Sequence, residues 1–164
     1  MNEKLNEGLK KLGLEFSQNQ ISRIETYISC VLEFNKTYNL MKADSTDELT
    51  VNHILDSLAA APSIASFIQK IQEKKNIAAL QIADIGSGGG CPGIPLAVAF
   101  PEQNFTLIER MEKRCGFLEN AIRKMELSNV NVNCIQADLI KSESFDIEVF
   151  RAFHPFDSKN TKLL

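Results

Sequence analysis

Apolar residues over the first 76 positions recur at helical spacing. Leu5, Leu9 and Leu12 share one helical face, and Gly13 ends that helix. Ser17 with Gln20 three residues on forms a capping box. It predicts a helix from about Gln18 to Lys36 with Ile21, Ile24, Ile28, Val31 and Leu32 on its apolar side. Ser45 with Glu48 makes a second box, opening a helix through Leu49, Val51, Ile54, Leu55 and Leu58. Pro62 breaks that run, and Ser63 is expected to cap another helix with Ile64, Phe67, Ile68 and Ile71 as its apolar face. No strand pattern interrupts these helices.

From about Leu80 the period changes. Leu80–Ile85, Phe105–Glu109, Val130–Ile135 and Phe145–Phe150 read as short buried strands. Between them, Ile94–Phe100 and a segment from about Glu112 to Met125, with Phe117, Leu118, Ala121 and Ile122, read as helices. Strands alternating with helices at this spacing imply βαβ units, a parallel sheet and right-handed crossovers. The expected architecture is α/β and Rossmann-like. Glu73-Lys74-Lys75-Asn76 is the boundary, dividing a helical region over 1–76 from the α/β core over 77–164.

Composition narrows the partners. A chain of 164 residues, 44% hydrophobic and 24% charged, suits one globular domain or a domain with a small appendage. No apolar run approaches the ~20 residues that cross a bilayer, and Met1-Asn2-Glu3-Lys4-Leu5 does not look secretory. A cytoplasmic protein without membrane contact is the expectation. Four scattered cysteines and two histidines give no metal-ligand spacing, so no metal is expected and all four cysteines are expected to be reduced thiols. With a net charge of −3, any nucleic acid must be met by a local basic patch.

The candidate chemistry centres on Leu80–Gly93, where an apolar strand passes through Asp84 into five glycines within eight positions. Gly88-Gly89-Gly90-Cys91-Pro92-Gly93 literally satisfies the dinucleotide fingerprint G-x-G-x-x-G. Asp84 argues for another cofactor, because a carboxylate inside the strand end repels a diphosphate and attracts a cation. Pro92 and Pro95 weaken the helix start as an anion cradle. S-adenosylmethionine carries an ammonium and a sulfonium and no phosphate, and Asp84 followed by Gly86, Gly88 and Gly90 is the pattern of its methyltransferases. A tight turn without a ligand is the plain alternative. Glu109, at the end of the second strand, can accept from both ribose hydroxyls of either cofactor, or be a solvated neighbour of Arg110. Asp138 can accept from the adenine amine while Ala137 offers its backbone N–H, or both can be strand-end turn residues.

Several spaced motifs then agree. Phe34-Asn35-Lys36-Thr37-Tyr38-Asn39-Leu40 looks like W-N-x-x-x-N-L with Phe for Trp, and His53-Ile54-Leu55-Asp56-Ser57 like H-x-L-D-S. The loop ends in Pro92-Gly93-Ile94-Pro95-Leu96; Lys113-Arg114 with Phe117-Leu118 fits K-R-x-x-F-L, and Arg151-Ala152-Phe153 fits R-A-F. In these motifs the chain resembles the bacterial small-subunit rRNA guanine-N7 methyltransferases (the RsmG or GidB family).

That resemblance implies a class I S-adenosylmethionine-dependent fold with an N-terminal helical extension, acting on 16S rRNA or the small ribosomal subunit. By it, Asp84, Gly86, Gly88 and Cys91 line the methionine and loop side, Glu109 holds the ribose, and Ala137 with Asp138 the adenine. Arg151 falls at a cofactor-contacting or catalytic position, with a surface salt bridge as the plain alternative. Asn35, Lys36, Asn39, His53 and Arg114 become candidates for substrate contact. Helix capping for Asn35, Lys36 and Asn39, and a packed, hydrogen-bonded ring for His53, are the competing readings. Asp56, one turn on, is expected to orient His53. Cys91 replaces a larger apolar residue and Glu109 the more frequent Asp.

Guanine N7 has a free lone pair, so no general base is required and alignment dominates. Lys10, Lys11, Lys36, Lys42, Arg110, Lys113, Arg114, Arg123 and Lys124 are candidates for basic patches that meet RNA, with solvated helix faces as the plain alternative for each. A class I sheet has seven strands in the order 3-2-1-4-5-7-6. The chain is expected to stop after the fourth, with an exposed edge strand, a turn at His154-Pro155 and a new helix from Phe156. A monomer when complete, with impaired turnover in this short form, is the expectation. The alternatives are a non-catalytic cofactor- or RNA-binding assembly factor and, on the glycine fingerprint alone, an NAD-dependent oxidoreductase.

Overall fold

A computed structural model describes residues 2–43, 45–140 and 144–151. Ala152, Phe153, the His154-Pro155 turn and the helix expected from Phe156 lie outside the described residues. Asn2 caps α1 (Glu3–Lys11), which buries Leu5 and Leu9, and Gly13 leaves it at φ 68°. The Ser17/Gln20 capping box opens α2 (Gln18–Asn35), whose buried face is Ile24, Tyr27, Ile28, Cys30 and Val31. Tyr27 was no part of the predicted apolar stripe, yet it is 0% exposed.

Ser45 caps the next helix, which is not uniform. α3 (Thr46–Leu49) widens into a π-helical turn over Thr50–Leu55 before tightening again as α4 (Asp56–Leu58). Thr50 Oγ1 donates to the Thr46 carbonyl (2.7 Å) and Ser57 Oγ to the His53 carbonyl (2.5 Å). Hydroxyls bonded back to a preceding carbonyl compete with the helix ladder and loosen it locally. A π-turn inside a helix often marks a functional position, and this one contains His53.

α5 (Ala61–Lys75) corrects one expectation. Ala60, not Ser63, is its N-cap, and Pro62 sits inside the first turn, where a missing N–H costs nothing. Asn76 then ends the helix in the left-handed region at φ 53°.

The α/β part follows the predicted alternation: β1 (Gln81–Ile85), α6 (Gly93–Ala99), β2 (Asn104–Ile108), α7 (Glu112–Lys124), β3 (Val130–Asn133), a 3-10 turn (Ala137–Leu139) and β4 (Ile147–Val149). The strands form one sheet in the order β3-β2-β1-β4, all parallel, with Asp84 opposite Leu107 in β2 and Val149 in β4. This is the 3-2-1-4 portion of the expected class I order. One apolar cluster runs from Leu5 through α2, α5 and α6 to Ile82, Phe105, Leu107 and Val130, so the helical region and one sheet face share a core. On the other face, Ala83, Ile85 and Ile108 pack against Ile135, Ala137, Ile140, Phe145 and Phe150.

Cys115, near the start of α7, and Cys134, just past β3, are joined as a disulfide with Cα atoms 5.9 Å apart. This corrects the expectation of four reduced thiols. α7 packs along β3 and brings together residues 19 apart, a spacing that matches no recognisable pattern. Cys30 and Cys91 are free and buried.

Asn35 closes the helical region onto the following loop. Its amide N–H groups donate to the carbonyls of Met41 (2.8 Å) and Ala43 (3.3 Å), and its Oδ1 accepts from the N–H groups of Leu40 (3.0 Å) and Met41 (3.2 Å). Replacing Asn35 with Ala strips all four partners at once. A loss of about 1–3 kcal/mol in urea unfolding is expected, with faster proteolysis within residues 37–43.

Candidate active site

In open α/β sheets, ligands bind outside the carboxyl ends of the strands where the strand order reverses. Here that crevice lies between β1 and β4. β1 opens into the glycine loop on one side of it, and β4 runs into Arg151 on the other.

The loop needs its glycines for conformation and space. Gly86, Gly88 and Gly90 have φ of 72°, 57° and 103°, where side chains are strained. Gly86 and Ser87 both donate from the backbone to the Ile108 carbonyl at 2.9 Å, stitching the loop to the end of β2. A Cβ on Gly88 would meet only the Gly86 carbonyl, at 3.8 Å, so this corner of the loop faces open space. A Cβ on Gly93 would collide with Leu107 and with the Asp84 side chain itself.

Asp84 is 1% exposed, on the α6 side of β1. Its Oδ2 accepts from the Gly93 N–H at 3.0 Å, while Oδ1 has no hydrogen-bond partner among the described residues. Burial pushes the carboxyl up to about 7, against the opposing pull of the Gly93 N–H, the Ser87 hydroxyl and the Arg151 guanidinium. A buried carboxyl with one oxygen open among the described residues is a feature that a cation would satisfy.

Glu109 is buried, not a solvated neighbour of Arg110. Its Oε2 accepts from the Gly88 N–H (2.9 Å) and its Oε1 from the N–H groups of Arg110 and Met111 (2.9 Å each). Arg114 Nη1 approaches Oε2 at 3.7 Å. The carboxylate therefore sits directly behind the open corner at Gly88, and Arg114 neutralises it.

Arg151 is anchored from the helical region. Its Nη1 donates to Asp56 Oδ2 (3.2 Å) and the Asn52 carbonyl (3.3 Å), and its Nη2 donates to His53 Nδ1 at 2.9 Å. With Nδ1 accepting, the 3.1 Å contact of Nε2 with the Lys42 carbonyl assigns the proton to Nε2. Asp56 thus does not orient His53, as the motif spacing suggested; both hold Arg151. The π-turn sets their arrangement, because it displaces His53 from the position a regular helix would give it.

Other predicted residues are placed differently. Cys91 does not line the loop's open side. Its thiol is buried underneath, 3.4 Å from the Tyr27 hydroxyl, and burial pushes it up to about 11. Asn35 spends its amide on the loop described above. Lys36, Asn39 and Asp138 are exposed, and Ala137 packs against the cluster of Ile85 and Ile108 at the strand ends. Lys113 lies 3.4 Å from the centroid of the Tyr38 ring, which rests on Phe34 and through it on Phe117. The N-x-x-x-N-L and K-R-x-x-F-L segments are therefore neighbours. Tyr27, whose hydroxyl reaches the Gly89 carbonyl, was missed, although its place between Ile24 and Ile28 on one helical face was a usable signal.

The sequence model of the rRNA small subunit methyltransferase G (GidB) family matches residues 20–164. The chain belongs to that family. It is 34% identical over 160 residues to the ribosomal RNA small subunit methyltransferase G of Ectopseudomonas mendocina, covering 98% of this chain and 65% of that protein. The namesake of Laribacter hongkongensis is 34% identical over 154 residues (93% and 68%), and that of Treponema denticola 37% over 172 residues (92% and 68%). The chain spans about two thirds of the length of these curated relatives. The rRNA small subunit methyltransferase G match includes every residue of the crevice from Asp84 to Arg151. It leaves out α1, the loop after it and the first two residues of α2, Gln18 and Asn19.

Asp84 provides a test independent of any ligand. Its folded value, about 7, lies above its ordinary 3.8. The native state therefore holds the proton more tightly, and the resulting stability, present below pH 3.8, is lost as pH rises through 7. Asp84→Asn, which can still accept from Gly93, should gain on the wild type steadily between pH 4 and 7 in urea midpoints. A difference independent of pH would show that Asp84 does not titrate there.

Proposed function

We propose that this chain binds S-adenosylmethionine at the glycine loop and transfers its methyl group to N7 of a guanine in 16S rRNA. One observation carries the reading. Around a loop with an open corner at Gly88, three groups converge: a buried carboxyl with one oxygen unpaired among the described residues, a second buried carboxylate, and an arginine held by His53 and Asp56. They do so in a chain of an rRNA methyltransferase family.

The residues fit such a ligand. Gly86 and Gly88 offer the close backbone approach, Asp84 the negative charge for an ammonium or sulfonium, and Glu109, beside Gly88, lone pairs for ribose hydroxyls. Ala137 and Asp138, in the 3-10 turn past β3, are the residues this reading gives to the adenine end. When bound, S-adenosylmethionine supplies a methyl group on a positively charged sulfur. The protein's part is alignment and management of charge. N7 presents its lone pair without losing a proton, which agrees with a crevice whose His53 has both ring nitrogens committed to Arg151 and Lys42. Arg151, preorganised by its partners, is assigned to the guanine O6 edge or the methionine carboxylate.

The dinucleotide reading loses its support at Gly93. The N–H that would face a diphosphate at the helix start is already bonded to Asp84, and an ionised Asp84 repels phosphate. For RNA, exposed Lys36, Asn39 and Lys42 are the candidates on the helical side. Lys113 over Tyr38 is the candidate on the α7 side.

Tritium-methyl transfer to small ribosomal subunits lacking the modification tests the assignment, with nuclease digestion to identify 7-methylguanosine. Arg151→Ala should lower transfer by ~100-fold, the scale set by misplacing a reacting group by about an ångström. His53→Ala should cost less, since Asp56 and the Asn52 carbonyl still hold the guanidinium. Transfer at the wild-type rate by Arg151→Ala would remove Arg151 from the chemistry. A methyl group found elsewhere than on N7 would overturn the substrate assignment.

A further inference from the structure

Tyr27 lies in the helical region, far along the chain from the glycine loop, and is 0% exposed. Its hydroxyl donates to the Gly89 carbonyl at 2.6 Å, with Cys91 Sγ at 3.4 Å and Met41 Sδ at 3.8 Å completing its surroundings. Burial raises the phenol well above its ordinary range, so it stays a proton donor.

The partner matters. The Gly89 carbonyl and the Gly90 N–H belong to one peptide unit, and the Gly90 N–H donates to the Ser87 carbonyl at 2.7 Å. That unit is therefore held at both ends. A peptide flanked by glycines on both sides has no Cβ to oppose its inversion. Gly90, at φ 103°, already occupies a region that side chains rarely adopt. Inversion would turn the carbonyl towards the Ser87 carbonyl, which the Gly90 N–H now faces, and leave the Tyr27 hydroxyl buried without its acceptor, a state that buried polar groups avoid. Steric fit adds to this: a Cβ on Gly89 would strike Met41, whose loop is pinned by Asn35. Packing thus presses the helical region against the loop, and the hydroxyl chooses its peptide orientation.

We propose that Tyr27 is a positioning residue of the crevice, selecting the Gly89–Gly90 peptide orientation in which the loop is ready for its ligand. This rests on the reading of the loop as an S-adenosylmethionine site. Tyr27→Phe removes the hydroxyl and keeps the ring. Two measurements test it: calorimetric titration with S-adenosylhomocysteine, and amide hydrogen exchange of Gly88, Gly89 and Gly90 in the unliganded protein. Leu9→Ala serves as control, because it cuts the same core from α1, which supplies none of the loop's hydrogen bonds described above.

Tyr27→Phe should weaken S-adenosylhomocysteine ~10-fold and speed exchange at those glycines by a similar factor. Leu9→Ala should leave both within about twofold while lowering the melting temperature at least as much. Unchanged affinity and unchanged exchange in Tyr27→Phe would overturn the proposal, and so would equal effects in Leu9→Ala. If the wild type itself fails to bind S-adenosylhomocysteine, the cofactor assignment falls. The exchange comparison then decides the role of Tyr27 alone: faster exchange supports it, unchanged exchange removes it.

Discussion

The 3.0 Å hydrogen bond from the Gly93 N–H to the buried Asp84 carboxyl sets the geometry of the crevice. Asp84 is central in the sheet, opposite Leu107 on one side and Val149 on the other. Gly93 begins α6 in the one place where its backbone can touch both Asp84 and Leu107, because a Cβ would strike both. The helix start, the strand end and the loop between them are thereby locked as one unit. The cost of that lock is a buried carboxyl, one of whose oxygens has no hydrogen-bond partner among the described residues, and whose pKa burial pushes up to about 7. A core selected for stability alone would place an apolar side chain there. A site that recruits a cation gains from it.

Three elements from different parts of the chain hold the loop from different directions. β1 holds it through Asp84, the end of β2 through Glu109 and the Ile108 carbonyl, and α2 through Tyr27. The wall opposite, Arg151, depends on the π-turn that carries His53 and on Asp56 just beyond it. The helical region is thus a structural part of the crevice, reaching it once under the loop and once across it. The shared apolar core makes these contacts stiff, since moving α2 or the π-turn disturbs packing that runs to Val130.

Much of this was readable from periodicity. The change from helical to strand spacing near Leu80, the order of strands and helices, and the two caps at Ser17 and Ser45 all reappear in the structure. These features depend on neighbours within a few residues, so local pattern carries them. Ser63 failed as a cap because Pro62 tolerates the first helical turn, which let the helix begin earlier. The disulfide escaped because its proximity arises from α7 folding back along β3. Cys91 was read as lining the site from its place in a motif, yet the chain's path through the loop turns the side chain inward.

Taken by itself, the sequence determined the class of architecture, the strand–glycine–helix centre and the set of charged residues available to it. Periodicity and glycine content are local properties, and they survive without knowledge of what packs where. The tertiary structure decided how each group is used. Glu109 became a loop anchor beside the open corner, His53 a support for Arg151, and Asn35 a clamp on a neighbouring loop. Tyr27 changed from an unremarked helical residue into the partner of a glycine carbonyl 62 positions away. Such roles follow from which donor meets which acceptor once strands and helices are stacked. That pairing is set by long-range packing, which no short window of the chain contains.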